Sequence, residues 1–480
     1  MARRARETHA ARLAEPEAVI SDLRPGPTDF SPLERPLARL REGFADLQDS
    51  ERGADSASDD VTNPTAIEHV LMEVAQRLHD NPPFFHPQYA GQMLKPPHAV
   101  ARLAYALAMT VNPNNHALDG GPASSRMEQE AVAAIARMFG WGESLGHLTA
   151  GGTMANLEAL WVAGRLRPGE IVLASSQAHY THGRISSVLQ LPFEPVACDA
   201  RGRMDVAALE RRVAAGGVGT VVATMGTTAL GAVDPLAEII ALGKRFGFRV
   251  HADAAYGGYF TLAGNLGAEA ARSFAAIAAA DSIVVDPHKH GLQPYGCGAV
   301  LFRDASVAGF YRHDSPYTYF SSGDLHLGEI TLECSRAGAA AVALWATQRL
   351  FPLERAGAFA RRLEASRAAA LAWHARLAAD RRFLAPLAPE LDIVVWTVSA
   401  PSASEASELA RQVYEAARRQ GLHLALASLP AALFAGVANF AADRDTVTCL
   451  RSVLMKPEHF DWIERLWVLL DRAMAEVPTK

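Results

Sequence analysis

The segment GTVVATMGTTALGAVDPLAEIIALGKRFGFRVHADAAY, residues 219–256, decides the fold. It contains two short apolar runs, GTVVATMGTT (219–228) and FRVHADAAY (248–256), separated by the helical period DPLAEIIALGKRFG (234–247). Short runs rich in Val and small residues predict buried strands, whereas the longer amphipathic period predicts a helix. A strand, a helix and a strand in that order form a βαβ unit, so these two strands are expected to be parallel.

The same alternation continues on both sides of this segment. Further strands are predicted at EIVLASS (170–176), DSIVVDPHK (281–289) and CGAVLFRD (297–304), and a further helix at MDVAALERRVAA (204–215). Repeated βαβ units build a mostly parallel sheet covered by helices on both faces. The predicted fold class is therefore α/β.

Composition and the pattern of apolar residues divide the chain into three regions. Residues 1–62 predict an N-terminal helical segment that ends in the polar run DSERGADSASDD, a candidate linker. Residues 63–345 carry the alternating strands and helices and predict the large domain. Residues 346–480 combine long helical periods with the strand-like LDIVVWTV (391–398), which predicts a smaller α+β domain.

Composition excludes several classes of protein. The chain has 480 residues, of which 49% are hydrophobic and 20% charged, as expected for a protein with a large folded core. With 46 Lys and Arg against 52 Asp and Glu, the net charge of −6 and the lack of a long basic run argue against nucleic-acid binding. No apolar stretch of about 18 residues predicts a membrane span. The N-terminus does not resemble a secretory signal, and the four scattered cysteines form no CxxC pair, so we expect a cytoplasmic protein without a cysteine metal site.

Two of the strand ends carry residues that could contact a ligand. In LTAGGTMANLEAL (148–160), Gly152 and Thr153 open a helical period, where free backbone N–H groups favour a phosphate. The same pattern is also common as a simple turn and cap. In FRVHADAAYGGYF (248–260), Asp253 ends a strand, where it could either point into a crevice or cap the following turn.

Two further strand ends carry a lysine and histidines. Lys289 directly follows a buried strand and is flanked by His288 and His290. A lysine in a partly desolvated pocket is a candidate for imine formation, although a lysine reaching outward to solvent is the simpler alternative. After the strand at 170–176, His179 and His182 open a helical pattern, and we interpret His182 as structural.

Together, a lysine, a carboxylate, an imidazole and a phosphate-binding turn at one sheet edge are what a pyridoxal 5'-phosphate (PLP) site requires. The lysine holds the cofactor as an imine, the helix N-terminus holds its phosphate, and the carboxylate keeps the ring nitrogen protonated. A metal hydrolase built on His251, Asp253, His288 and His290 is the alternative from a different chemistry.

From about residue 84 to 350 the sequence resembles the group II PLP-dependent amino-acid decarboxylases, which have the aspartate-aminotransferase-like fold, also called PLP fold type I. The motifs that carry the resemblance occur in the family order: AGGTMANLEAL (150–160), QAHYTHGR (177–184), TMGTTALGAVD (224–234), HADAAYGG (251–258), DPHKHG (286–291) and LECSRAGAAAVALW (332–345). Met154 and His290 depart from many members of the family.

The resemblance implies a role for each matching residue. Lys289 matches the lysine that binds the cofactor, and Asp253 matches the carboxylate that pairs with the ring nitrogen. His179 matches the imidazole that stacks on the ring. The remaining cofactor contacts implied in this way are Gly152, Thr153, Thr228, Ala255 and His288.

Two roles concern the substrate. The family has a loop tyrosine that returns a proton after carbon dioxide leaves, and Tyr317 and Tyr319 are both candidates, with Tyr319 preferred. Arg336 matches an arginine near the substrate carboxylate, and a structural ion pair is the alternative for this residue.

The motifs NPPFFHPQYAGQM (81–93) and NPNNHALDGGPASSRMEQE (112–130) are most similar to the tyrosine-decarboxylase branch, which implies an L-amino acid, aromatic in character, as substrate. Alternatives left open are an acidic amino acid, a sphingosine-phosphate-lyase-like aldehyde-lyase, a transaminase, and a regulatory homologue that only binds the cofactor. The family also implies a homodimer with a shared active site.

Overall fold

The computed structural model describes residues 29–42, 64–312 and 326–477. The chain divides into two compact units, residues 1–89 and residues 90–480. The described part of the first unit contains helix α1 (Glu34–Glu42) and helix α2 (Pro64–Leu78). All side chains of α2 are exposed, including an apolar stripe that recurs every three or four residues: Ile67, Val70, Leu71, Val74 and Leu78.

The second unit alternates strands and helices along most of its length. Its strands are β1 (Leu145–Thr149), β2 (Ile171–Ser175), β3 (Phe193–Val196), β4 (Val218–Thr224), β5 (Arg249–Asp253), β6 (Ser282–Val285), β7 (Gly298–Phe302), β8 (Phe383–Leu384), β9 (Ile393–Val398), β10 (Ala425–Pro430) and β11 (Thr446–Val453). Its helices are α3 (Ala99–Met109), α4 (Pro122–Met138), α5 (Gly152–Leu166), α6 (Thr181–Val188), α7 (Val206–Ala214), α8 (Leu236–Phe246), α9 (Ala268–Ala276), α10 (Gly338–Leu350), α11 (Ala358–Ala379), α12 (Ala403–Arg419) and α13 (His459–Glu476).

The larger sheet has the strand order β1-β7-β6-β5-β4-β2-β3. Strand β7 is antiparallel to both of its neighbours, and the pairs among β2 to β6 are parallel. Since β1 and β6 both run opposite to β7, six strands point in the same direction. The predicted mostly parallel α/β fold is therefore confirmed.

The βαβ unit predicted over residues 219–256 forms. Strand β4, helix α8 and strand β5 lie inside the predicted segments, apart from one residue at the start of β4, and β4 pairs with β5 in parallel register. Val221, Val222 and Ala223 have no exposed surface, because both faces of this central strand are covered. Gly247 ends α8 in the left-handed conformation, with φ of 82°, which a residue without a Cβ adopts at low cost.

The smaller sheet is antiparallel, with the order β10-β11-β9-β8. Trp396 of β9 packs in a buried cluster with Trp373 of α11 and Trp467 of α13. A second cluster joins the sheets, because Ile393 and Val395 belong to the same core as the strands β4 and β5. The domain boundaries at residues 62 and 345 stay predictions.

Membrane insertion would need a long apolar helix. Among the helices in the described ranges, none has the length and hydropathy to cross a bilayer.

Candidate functional site

The carboxyl ends of the parallel strands open into one cavity of about 480 Å³. This location follows from the topology, since loops that leave parallel strands in the same direction meet at one edge of the sheet. The structure brings together there all eight residues to which the resemblance gives cofactor contacts: Gly152, Thr153, His179, Thr228, Asp253, Ala255, His288 and Lys289.

Lys289 lies in the turn after β6, and the backbone fixes this turn at both ends. The Asp286 N–H donates to the carbonyl of Ala255, and the Lys289 N–H donates to the carbonyl of Asp286. The Lys289 side chain is largely buried, and its Nζ lies 3.0 Å from Oδ2 of Asp286. The ammonium thus has a buried carboxylate as its partner inside the cavity, a residue to which the sequence analysis gave no role.

Asp253 is the last residue of β5 and is nearly fully buried. Its Oδ2 accepts a hydrogen bond from Nε2 of His182 at 2.8 Å, and its Oδ1 accepts one from the backbone N–H of Ala255 at 3.2 Å. Burial by itself raises the pKa of Asp253. The hydrogen bond from His182, together with the nearby imidazoles and Lys289, outweighs burial and holds the pKa below its ordinary value. Asp253 is therefore a charged acceptor inside the cavity.

His179 lies between β2 and α6, and its ring lines the cavity. Its Nδ1 accepts from the Thr181 N–H at 3.3 Å and also contacts the Thr181 hydroxyl. An accepting Nδ1 leaves the proton of the neutral ring on Nε2. Burial lowers the pKa of His179, which favours this neutral form.

The turn that is predicted to bind phosphate lies between β1 and α5. The first backbone N–H groups of a helix have no partners within it, so they are free to bind an anion. Gly152 is required here, because a Cβ at this position would lie 2.6 Å from Oδ2 of Asp286. His288 lies beside this turn and donates from Nδ1 to the carbonyl of Cys297 at 2.8 Å.

The residues of the metal-site alternative do not converge. His251 uses both ring nitrogens, at 2.8 Å from Ser282 Oγ and 2.8 Å from Asn156 Oδ1. His290 lies on the other side of the turn, with Nε2 3.3 Å from Oδ2 of Asp392. Within the described residues, no three His, Cys, Asp or Glu side chains are grouped so that they could hold a metal ion.

Arg336 is buried, but it is absent from the residues that line the cavity. Its Nη1 forms an ion pair with Glu128 at 2.8 Å and donates to the carbonyl of Leu148. Nε and Nη2 have no hydrogen-bond partner among the described residues. The structural ion pair that was the alternative for Arg336 is thus present. Tyr317 and Tyr319 lie outside the described residues.

Three further residues belong to the site and were missed from the sequence. His182 was interpreted as structural, but it contacts Asp253. Asp286 stood in the motif DPHKHG, three residues before the lysine, and this spacing could have indicated a pair. Thr224 faces Asp253 across β4 and β5 and lines the cavity, and its buried hydroxyl has no partner among the described residues.

Comparisons with known proteins agree with this geometry. Residues 163–399 match the pyridoxal-dependent decarboxylase conserved domain. The L-tyrosine decarboxylase of Enterococcus faecium is 29% identical, with 60% of this chain and 64% of that protein aligned. The L-2,4-diaminobutyrate decarboxylase of Rhizobium meliloti is 34% identical over 46% of each chain. The chain spans 62% to 66% of the length of the three L-tyrosine decarboxylases that it matches.

Solved structures show the same fold. The structure of Oryza sativa TDC with PLP and tryptamine has a TM-score of 0.74 at 18% identity, covering 94% of this chain and 99% of that one. Mouse CSAD has a TM-score of 0.72 at 22% identity, covering 89% and 91%. The predicted PLP fold type I is confirmed by these likenesses.

Proposed function

We propose that this chain, of which residues 163–399 match the pyridoxal-dependent decarboxylase conserved domain, is a PLP-dependent decarboxylase of L-amino acids. The observation that carries this proposal is the meeting of Lys289, Asp253, His179 and Gly152 in one cavity. Four separate chain segments supply these groups, from Gly152 to Lys289, 137 positions later, and each group matches a different part of the cofactor.

The residues present fit PLP. The buried hydroxyl of Thr224 and the Oδ1 atom of Asp286 face this region without a partner among the described residues, so polar groups remain for a ligand. The missing side chain at Gly152 lets the Asp286 carboxylate pack against the N-terminus of α5. Lys289 supplies a primary amine, Asp253 a charged carboxylate and His179 a neutral imidazole. Lys289 would hold the aldehyde carbon, the turn at Gly152 and Thr153 the phosphate, and Asp253 the ring nitrogen.

When bound, PLP supplies a ring that accepts the electrons of the bond broken at the substrate Cα. The protein's residues set the conditions for this chemistry. Asp253 stays charged and favours a protonated ring nitrogen. His179 presents a neutral ring with its proton on Nε2. Lys289 would supply the amine that holds the cofactor, and this amine could carry a proton when it is not bonded to the cofactor.

Two residues act on the substrate in this proposal. The resemblance gives Arg336 the role of holding the substrate carboxylate, although its side chain pairs with Glu128 outside the cavity lining. It gives Tyr319 or Tyr317 the role of returning a proton to the Cα. The resemblance to the family supports these two roles.

The proposed substrate is an aromatic L-amino acid, because three relatives that match over 389 to 412 residues are named L-tyrosine decarboxylases. Other relatives are named for aspartate and diaminobutyrate, so the test is a panel of carboxyl-labelled amino acids assayed for labelled carbon dioxide. We expect release from tyrosine or a similar aromatic substrate, and none from the Lys289→Ala variant. Release from aspartate alone would overturn the aromatic specificity. Formation of an aldehyde without carbon dioxide would overturn decarboxylation.

We also propose a homodimer. Helix α2 exposes Ile67, Val70, Leu71, Val74 and Leu78 on one stripe, with exposed fractions between 46% and 61%. A contiguous apolar stripe of this kind is costly in water and is typical of an interface. The family resemblance, which implies a shared active site, supports a second copy of the chain as the occupant.

A cytoplasmic location completes the proposal. All four cysteines are free thiols, as expected in a reducing compartment. Fractionation of the source cells with an antibody to the chain tests this location, and recovery in a secreted fraction would contradict it.

A further inference from the structure

His182 is one of the most buried polar residues near the cavity, and the decarboxylase chemistry described above gives it no role. It lies in the first turn of α6, three residues after His179, and has no exposed surface. Its Nε2 lies 2.8 Å from Oδ2 of Asp253, although the two residues are 71 positions apart. This contact joins α6 to the end of β5.

The hydrogen bond has a defined direction. A charged carboxylate only accepts, so Nε2 of His182 is the donor. Nδ1 of His182 is buried and has no partner among the described residues. The neutral ring with its proton on Nε2 is therefore sufficient for this bond, and the donor persists when the ring is uncharged.

No other described side chain donates a hydrogen bond to the Asp253 carboxylate. His251 is the nearest alternative, because it lies on the same strand two residues before Asp253. Both of its nitrogens, however, are taken by Ser282 and Asn156. The remaining donor to Asp253 is the backbone N–H of Ala255, at 3.2 Å from Oδ1. Of the described side chains, only His182 donates to this carboxylate.

On the basis of the proposed PLP-dependent function, we propose that His182 is a positioning residue for Asp253. Its Nε2–H group fixes one carboxylate oxygen and keeps the carboxylate charged and oriented toward the ring nitrogen of the cofactor. A single short segment, residues 179–182, then supplies both the ring-stacking imidazole and the support of the ring-nitrogen carboxylate. Loss of His182 is expected to change the cofactor's environment even where the lysine is intact.

The test compares His182→Met with His182→Gln. The two replacement side chains have the same length and similar volume, but only Gln can donate an N–H. The readouts are the dissociation constant of PLP from the apoprotein, the pH dependence of the visible spectrum of the bound cofactor, and the thermal midpoint of the apoprotein. A purely structural role would change only the thermal midpoint.

We expect His182→Met to weaken PLP binding about tenfold and to shift the pH midpoint of the spectrum, because Asp253 loses a charge-assisted hydrogen bond. His182→Gln is expected to recover most of both effects. Equal PLP affinity and an equal spectral midpoint in the wild type and His182→Met would overturn the proposal, as would a Gln variant that behaves like the Met variant.

Two controls keep the result interpretable. If His182→Met does not fold, His182→Leu takes its place beside His182→Gln, because Leu also lacks a donor. A wild-type protein that fails to bind PLP would overturn the proposed function and this inference together. A wild-type protein that binds PLP and releases carbon dioxide, alongside an unaffected His182→Met variant, would overturn only the inference.

Discussion

At the scale of single residues, Gly152 shows how a missing side chain shapes the site. A Cβ there would lie 2.6 Å and 2.9 Å from the two oxygens of Asp286, whose carboxylate is held by Lys289 at 3.0 Å. We expect Gly152→Ala to weaken PLP binding by about tenfold or more, since the carboxylate must move and the turn must widen. Titration of the apoprotein with PLP measures this. Gly309→Ala is the control, because a Cβ there meets no atom within 4 Å, and equal affinities in both variants would contradict the account.

From the burial of His251 we predict that the stability of the folded protein depends on pH. Burial lowers its pKa to about 3, against about 6.5 in an unfolded chain, so the folded protein keeps the ring neutral. The stability from this effect is present above pH 6.5 and is lost as pH falls toward 3. At about pH 5 the loss is about 2 kcal/mol. When the pH is lowered from about 7.5 to about 5, the thermal midpoint of the wild type should therefore decrease relative to that of His251→Gln. A difference between the two midpoints that does not change with pH would contradict this prediction.

At the scale of elements, one buried pair joins the residues after β5 to the start of β9. The Tyr256 hydroxyl donates to Oδ1 of Asp392 at 2.6 Å, and Tyr256 also lines the cavity. Burial raises the pKa of Asp392 to about 6, so this carboxylate depends on its donors. We expect Tyr256→Phe to lower the free energy of unfolding by about 1–3 kcal/mol and to lower the thermal midpoint. Tyr295→Phe, which removes an exposed hydroxyl, should change the midpoint little, and equal midpoints for the two variants would contradict this.

The elements also show what could be predicted from sequence. Strands β4 and β5 were found because their apolar runs are continuous and both faces are buried. Strand β1 was recognised only by its end at residues 148–149, because LGHLT has Gly146 and His147 at its centre and becomes a strand through its pairing with β7. Strand β3 was missed for the related reason that FEPV is a partly exposed edge strand containing Pro195. His182 could not be assigned, since its partner is distant in sequence and only the packing of α6 brings the two together.

At the scale of the whole molecule, the apolar stripe of α2 predicts assembly. A charge in the middle of a buried apolar interface is strongly unfavourable, so Leu71→Glu is expected to shift the protein from dimer to monomer. Light scattering after size-exclusion chromatography measures the mass. Gln76→Glu adds the same charge to the same helix away from the stripe and should leave the dimer intact. A wild-type monomer with full activity would contradict the proposed homodimer.

The central claim is that Lys289 holds PLP in a cavity built from the strand ends. Borohydride reduction of the PLP-loaded protein, followed by proteolysis and mass spectrometry, tests this claim directly. The account predicts one stable pyridoxyl adduct, on the peptide that contains Lys289, and its loss in Lys289→Ala. An adduct on another lysine, or a PLP-loaded protein with Lys289 unmodified after reduction, would contradict the account.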